Sequence, residues 1–300
     1  MKTSVALCTF NGEKFLQEQL SSILSQSVSV NEIVVCDDGS TDQTIEILKN
    51  YQGKFPKLFR IYRNEKNLGY VLNFEKAMSL CSGEIIFLCD QDDVWDKDKV
   101  ERTVQFFSEH HEVDLVAHNL KLLDASETDT TFWDLKNFAS EKTNLSSEKL
   151  LEQILLNGNI FPGMSLAIRK SFLKNNLPLQ KVDSIIIHDY ELVIKALKAN
   201  KFAILNNVLG FYRQHESQSI GYKEKEKIMH ENRSTQFFLL SNDLSRVKRY
   251  SEIFGLNRQI AHNFQKEIQR KYSLFLNQFP FAKRIWIDFK NRYYYKIIRF

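Results

Sequence analysis

Four polar side chains in a row, Asp90-Gln91-Asp92-Asp93, directly follow an apolar run at residues 84–89. Acidic groups set there are costly unless they are solvated, paired or bound to a cation. Oxygen ligands crowded at one strand end suit Mg2+ or Mn2+. Such an ion would bridge the two phosphates of a nucleotide and neutralise charge growing on a leaving diphosphate. The plainer explanation is a helix N-cap, with Asp93 or Asp96 capping a helix over residues 97–110. Capping uses only one such residue, so the cation reading is preferred for the cluster.

A second acidic group, Asp37-Asp38-Gly39-Ser40-Thr41-Asp42, follows the apolar run 32–36. Ser40 or Thr41 would cap the helix that runs through Tyr51, with Asp42 favourable in its first turn. Asp37 and Asp38 are left over by that account. A carboxylate at a strand end can accept from a base imide or a ribose hydroxyl, so at least one of the pair is expected to read a nucleoside.

Positioning these groups takes a particular scaffold. The N-terminal third alternates short apolar runs at 4–9, 32–37, 59–63 and 84–89 with helical patterns at 14–25, 41–51 and 70–80. The strand runs are continuous rather than alternating, as expected where helices cover both faces of a sheet, and the helices make the crossovers that parallel pairing needs. The predicted fold class is α/β, a doubly wound and mostly parallel sheet. In such sheets ligands collect beyond the carboxyl ends of the strands, which here are polar in every case. Farther on, helices are expected at 147–156 and 189–199 and strands at 164–168, 202–205 and 208–212. Residues 124–144 show no period and read as a loop, and a charged helical region follows from about 222 to 272.

With 300 residues, 43% hydrophobic, the chain can bury a large core, and ten glycines and four prolines spread along it argue against a fibrous or low-complexity protein. The net charge of +4, from 41 basic and 37 acidic residues, excludes little. Cys8, Cys36, Cys81 and Cys89 lack the paired short spacing of a zinc or redox site and read as reduced core thiols. No signal peptide and no run of 18 apolar residues is visible, so the expected location is the cytoplasm, with or without peripheral attachment to the inner face of the cell membrane.

Six motifs in order carry a family resemblance: Thr9-Phe10-Asn11-Gly12-Glu13, Asp37 to Asp42, Asn67-Leu68-Gly69, Asp90 to Trp95, His188-Asp189 and Tyr212-Arg213-Gln214-His215. Over about residues 2–220 the chain resembles glycosyltransferase family 2, in its bacterial rhamnosyltransferase-like branch. The resemblance implies a GT-A (Rossmann-like) fold, an inverting mechanism, a nucleoside diphosphate sugar donor and Mn2+ or Mg2+. Thr9, Asn11 and Asp38 fall on its nucleoside-contacting positions. Phe10, Glu13, Asn67, Gly69 and Gln91 belong with the same nucleotide and donor side. Asp90 and Asp92 align with the aspartates of the DxD motif, Asp92 being the direct metal ligand, with His215 as a further ligand and Arg213 on phosphate oxygens. Asp189 aligns with the catalytic base. Gly163 resembles the segment beneath the donor sugar, or equally serves a turn into the next strand. His188 and Trp95 fall on the acceptor side. Two departures stand out: Glu216-Ser217-Gln218-Ser219 follows His215 where a glycine and asparagines are usual, and Tyr190-Glu191 follows Asp189 where two aromatics are expected.

The implied organisation is a GT-A catalytic domain over residues 1–220, with its nucleotide-sugar half at about 1–120 and its acceptor half at about 121–220, then a helical extension over 221–300. The implied reaction moves a sugar, rhamnose first, from a dTDP- or UDP-linked donor to a hydroxyl of a bacterial cell-surface polysaccharide or lipid-linked oligosaccharide. A nucleotidyltransferase is disfavoured because no glycine-rich basic phosphate loop is present. The non-enzymatic rival is a sugar-nucleotide or glycan-binding subunit of a polysaccharide assembly complex. The tail at 281–300 places Ile285, Phe289, Tyr293 and Ile297 four residues apart among six Lys or Arg residues and the acid Asp288. It reads equally as a membrane-surface helix and as a helix packed on the catalytic domain or on a second copy of the chain. Nucleic acid is not an expected partner.

Overall fold

The computed structural model describes residues 1–123, 130–138, 145–182, 185–215, 248–277 and 280. Four parallel strands build its first half: β1 (Thr3–Thr9), β2 (Glu32–Asp37), β3 (Phe59–Arg63) and β4 (Ile85–Cys89). The crossovers are helices α1 (Leu16–Leu24), α2 (Thr44–Lys54) and α3 (Tyr70–Leu80). Every residue of β1, β2 and β4 is buried, as their unbroken apolar runs require of strands covered on both faces.

The second half completes a sheet of eight strands in the order β3-β2-β1-β4-β7-β6-β8-β5. The added strands are β5 (Val94–Trp95), β6 (Leu115–Leu122), β7 (Leu166–Arg169) and β8 (Phe202–Tyr212). Strand β7 is antiparallel to both β4 and β6, β5 is antiparallel to β8, and β6 runs parallel to β8. These reversals matter for chemistry. With Phe87 opposite Ala167, the residues that enter β7 lie beside those that leave β4. With Val94 opposite Phe211, the residues that leave β8 lie beside Asp92 and Asp93. Leu7 opposite Cys89 and Thr9 opposite Asp37 bring the ends of β1, β2 and β4 together. Helices α4 (Lys99–Glu109), α5 (Phe132–Leu135), α6 (Ser147–Asn157), α7 (Lys170–Asn176) and α8 (His188–Lys198) fill the connections.

Several local expectations are corrected. Neither Asp93 nor Asp96 caps α4, which begins after Asp98 with no side-chain cap bond; Asp96 instead accepts from the Asp98 amide at 2.9 Å. Helix α2 starts later than expected because the Ser40 hydroxyl is drawn to Asp37, at 2.5 Å, and Asp42 receives the Thr44 amide at 3.0 Å. The two strands expected at 202–205 and 208–212 are one strand, carried through a register irregularity against β6. Within the aperiodic stretch, Thr131 and Asp134 form a capping box that starts α5, four residues being too short for any periodicity to show. All four cysteines are free and buried.

The chain divides into two compact units, Met1–Leu151 with Asn159–Ser217, and Glu152–Gly158 with Gln218–Phe300. In the second, helix α9 (Arg258–Leu276) buries Ile260, Phe264 and Ile268, and Tyr250, Phe254, Ile154 and Leu155 are also buried. Asn263 donates to Glu152 at 2.6 Å. Most of the helical region expected from 222, and the basic aromatic tail at 281–300, lie outside the described residues. Among the described residues no helix is long and apolar enough to cross a membrane.

Candidate active site

The nucleoside end is organised by the two aspartates after β2, which take different duties. Asp37 is fully buried and consumed locally: it accepts from the Gly39 and Ser40 amides at 3.2 and 3.0 Å and from the Thr9 and Ser40 hydroxyls at 3.0 and 2.5 Å. Thr9 is thereby turned inward. Asp38 accepts from Asn64 Nδ2 (2.7 Å) and the Leu68 amide (2.8 Å) on one oxygen, and from the Gly69 amide (2.9 Å) on the other. Each carboxylate oxygen has two lone pairs, so the second oxygen keeps capacity for a further donor. The turn that supplies those amides needs Gly69, whose φ of 78° is left-handed, and Asn67, which accepts from Gly69 at 3.0 Å and donates to the Asp38 carbonyl at 3.2 Å.

Asn11 and Glu13 tie the loop after β1 to the one after β2. Asn11, also left-handed with φ of 48°, accepts from the Thr41 amide at 2.9 Å, and Glu13 accepts from the Gln43 amide at 2.8 Å. Gln91 spans the third gap by pairing with both main-chain groups of Phe10, at 2.8 and 3.0 Å. Gly12 lies beneath it, and a Cβ there would stand 2.2 Å from Gln91 Oε1, so the Gln91 side chain would have to shift. This leaves the Phe10 ring 45% exposed at the ends of β1 and β4.

At the acidic cluster, the residues leaving β8 close over those leaving β4. The Arg213 amide donates to Asp93 at 2.9 Å and its Nε to the Asp92 carbonyl at 2.8 Å. Its guanidinium meets Glu18 at 2.5 Å and lies 4.4 Å from the centre of the Phe15 ring. His215 Nε2 is 2.8 Å from Asp92 Oδ2, with its ring 4.8 Å from the same phenylalanine. Helix α1 and the residue before it therefore anchor both basic groups, a role no sequence motif announces.

Asp189 and His188, in the first turn of α8, reach the same place from the other side. A Cβ on Gly163 would stand 3.3 Å from His188 Nε2, 3.7 Å from Asp90 Oδ2 and 3.8 Å from Asp189 Cβ, so three of the expected residues converge on one glycine. Gly163 opens a short 3-10 turn, Gly163–Ser165, that leads into β7. Asp189 is buried, and desolvation pushes its carboxyl up to about 7 despite hydrogen bonds that include the Tyr190 amide at 2.6 Å. Burial, then the charges of Asp92 and Asp189, push Asp90 up to about 8, and burial with its acidic neighbours raises Asp93. His188 is stacked on Phe74, ring centres 4.1 Å apart, and burial alone holds its imidazole down at about 3. Among the described residues, both of its ring nitrogens lack a hydrogen-bond partner.

Trp95, expected on the acceptor side, is a core residue, 3% exposed, with Phe87 at 5.6 Å, because β5 pairs with β8 and turns it inward. Lys99, within the helix expected over 97–110 and singled out by no motif, is fully buried. Its Nζ donates to the Met164 carbonyl at 2.6 Å and lies 4.0 Å from the Trp95 ring centre. Desolvation pulls its ammonium down to about 7 against the upward influence of Cys89, Asp93 and Asp90.

The donor set suits a hard divalent cation only in part. Asp92 and His215 form a carboxylate and imidazole pair, and Asp90 and Asp93 are raised by burial first and by their acidic neighbours second. Among the described residues no group of three or more His, Cys, Asp or Glu is gathered for a metal. A cation bound here would be held by one or two carboxylates with substrate phosphates and water rather than by an all-protein cage.

Both the sequence and the fold resemble those of known proteins. A family model described as glycosyl transferase family 2 matches residues 4–176. An uncharacterized glycosyltransferase of Nostoc sp. is 31% identical over 72% of this chain and 65% of its own length. The poly(ribitol-phosphate) beta-N-acetylglucosaminyltransferase TarS of Staphylococcus aureus is 28% identical over 81% of this chain and 41% of its own. The chain thus spans less than two thirds of these relatives. Among solved structures, TarS 1–349 in complex with UDP-GlcNAc aligns over 95% of this chain and 78% of its own, with a TM-score of 0.61 at 20% identity. The mannosyltransferase PcManGT of Pyrobaculum calidifontis, in complex with GDP-Man and Mn2+, covers 88% of this chain and 69% of its own, with a TM-score of 0.56 at 15% identity. These likenesses identify the mixed eight-stranded sheet as the GT-A fold. Since the matched region runs from β1 to α7 and so takes in the strand ends that carry Asp38 and the acidic cluster, the chain belongs to glycosyltransferase family 2.

Proposed function

We propose that the chain is an inverting glycosyltransferase of the rhamnosyltransferase-like branch, which moves a sugar from a nucleoside diphosphate to a hydroxyl of a bacterial cell-surface polysaccharide or lipid-linked oligosaccharide. The observation that carries this reading is the approach of Asp90 and Asp189 to one glycine, which sets a carboxylate from α8 across from the acidic cluster of β4. Asp189 is the base. Its carboxylate takes the proton of the acceptor hydroxyl while that oxygen bonds to the anomeric carbon, and the bonding pair to the departing oxygen leaves with the diphosphate. A base works best with a pKa close to the operating pH, and burial supplies that for Asp189.

Asp38, with Thr9 and Asn11, forms the nucleoside end, and Phe10, Glu13, Asn67, Gly69 and Gln91 shape it. Asp92 and His215 are the protein ligands of Mn2+ or Mg2+, which when bound neutralises charge on the diphosphate. Arg213 is turned to Glu18, so a contact between its guanidinium and phosphate requires it to exchange that partner. His188, neutral and unsatisfied, offers its ring nitrogens to a substrate hydroxyl over Gly163. In the cell we place the protein in the cytoplasm, peripheral on the inner face of the membrane where a lipid-linked acceptor is held.

The test is release of nucleoside diphosphate from a panel of sugar nucleotides by the purified chain with Mn2+. The panel includes dTDP-rhamnose, UDP-rhamnose and, because TarS is named for N-acetylglucosamine transfer, UDP-GlcNAc. Turnover of a rhamnosyl donor is the expected result. Turnover of UDP-GlcNAc alone would move the chain out of the rhamnosyl branch, and tight binding without turnover of any donor would favour a non-catalytic binding subunit.

Gly163→Ala probes the junction itself. The backbone there is not left-handed, so the variant is expected to fold, but the new methyl 3.3 Å from His188 Nε2 forces the imidazole to give by a few tenths of an ångström. A turnover loss of about tenfold is expected from such misplacement, with the melting temperature little changed. Unaltered steady-state turnover would show that His188 touches nothing that matters to the reaction.

A further inference from the structure

We propose that Lys99 is a positioning residue of this site, which clamps the Gly163–Ser165 turn through the Met164 carbonyl and supplies a buried positive charge behind the carboxylate cluster. The inference rests on the glycosyltransferase reading above and deepens it. Lys99 has no exposed surface, donates one hydrogen bond, to Met164 O at 2.6 Å, and among the described residues makes no ion pair. An ammonium buried with so little compensation destabilises a fold, and an apolar residue of similar length would fill the space at less cost. Its location explains what it does there. Met164 is the residue after Gly163, whose missing side chain leaves room for His188, Asp90 and Asp189 to converge. Holding that carbonyl from beneath fixes the height of the turn between the two carboxylates. The Trp95 ring 4.0 Å below the ammonium closes the other side, giving Trp95 a duty in the core rather than toward an acceptor.

The charge has a second effect. Asp90, Asp92, Asp93 and Asp189 gather four carboxyl groups at one end of the sheet, and Lys99 exerts its field on Asp90 and Asp93 from the core side. The positive charge of its protonated form opposes binding of a divalent cation while the site is empty. Removing it should therefore strengthen cation binding and impair turnover at once. A residue that merely filled space would move neither.

The experiment compares Lys99→Met and Lys99→Arg with the wild-type full chain. Mn2+ binding without nucleotide is followed by calorimetry, alongside melting temperature and donor turnover. Lys99→Met is expected to fold with an unchanged or raised melting temperature, to bind Mn2+ about tenfold more tightly, and to lose about tenfold or more in kcat. Lys99→Arg keeps the charge but sets a larger, planar head where the ammonium meets the Met164 carbonyl, so Mn2+ affinity should return toward wild type while turnover stays low. If one variant fails to fold, the other still separates the outcomes through its own Mn2+ affinity and kcat. Folded Lys99→Met with both quantities within twofold of wild type overturns the proposal, as does a kcat loss accounted for entirely by a smaller folded fraction. A wild-type chain that neither binds Mn2+ nor turns over any donor overturns the parent reading instead, and Lys99 loses its role with it.

Discussion

Asp189→Asn is expected to lower transfer by about 10²- to 10⁴-fold, the usual contribution of a positioned general base, and to leave nucleoside diphosphate affinity within about twofold. The amide is isosteric, and its oxygen can still accept the Tyr190 amide now held at 2.6 Å, so the change removes proton acceptance and little else. The wild-type pH profile supplies an independent sign. With the Asp189 carboxyl at about 7, the ionised base is scarce below neutrality and transfer should rise with pH through about 7, a limb that the variant should lack. Stability should move the opposite way. A carboxyl raised in the folded state from its ordinary 3.8 to about 7 favours folding most below pH 3.8, and that advantage is lost as pH rises through 7. The difference of about three pKa units corresponds to about 4 kcal/mol at most, so Asp189→Asn should melt higher than wild type at pH 8, with the gap closing toward pH 4. Undiminished transfer by the variant would remove Asp189 from the mechanism. A loss of transfer with a lower melting temperature at pH 8 would mean that the carboxylate holds α8 in place.

The contrast between the carboxylates at the strand ends and Lys99 shows what local pattern can place. Groups set at strand ends were legible because continuous apolar runs announce buried parallel strands, and whatever follows such a strand must lie along one rim of the sheet. That logic located Asp38 and the Asp90 to Asp93 cluster from local pattern. It does not extend to β7 and β8, where antiparallel pairing brings residues 163 and 213–215 to the same rim across long sequence separations. For those positions motif order stood in for geometry. Lys99 was illegible for a different reason. A lysine flanked by Asp96, Lys97 and Asp98 looks like the solvated start of a helix, and nothing in its neighbours signals that α4 turns it inward to Met164. Trp95 fails likewise, since a two-residue strand carries no periodicity that tells its faces apart. Local pattern alone did not separate Asp37 from Asp38; the family resemblance pointed to Asp38, and hydrogen bonding distinguishes the turn-forming carboxylate from the one that keeps capacity for a further donor.

For Asp92→Ala the metal-dependent part of nucleoside diphosphate binding should disappear. The dissociation constant measured with Mn2+ should rise at least about 100-fold, beyond the loss usual for residues that only support a metal ligand, and should meet the value measured without metal. The fold should survive the change. Arg213 is held by the Asp92 carbonyl and the Asp93 carboxylate, neither of which the substitution removes. What the variant does lose is the partner of His215 at 2.8 Å, so a smaller loss for His215→Ala and strong non-additivity in the double variant would mark the two as one unit. Additive losses would place His215 on the phosphates instead. The wild type carries the decisive control, because equal affinity with and without Mn2+ would detach the acidic cluster from any metal. With Asp90 and Asp93 raised by burial and then by their acidic neighbours, the charge of the donor diphosphate would then fall to other groups, and Arg213, released from Glu18, is one able to meet it.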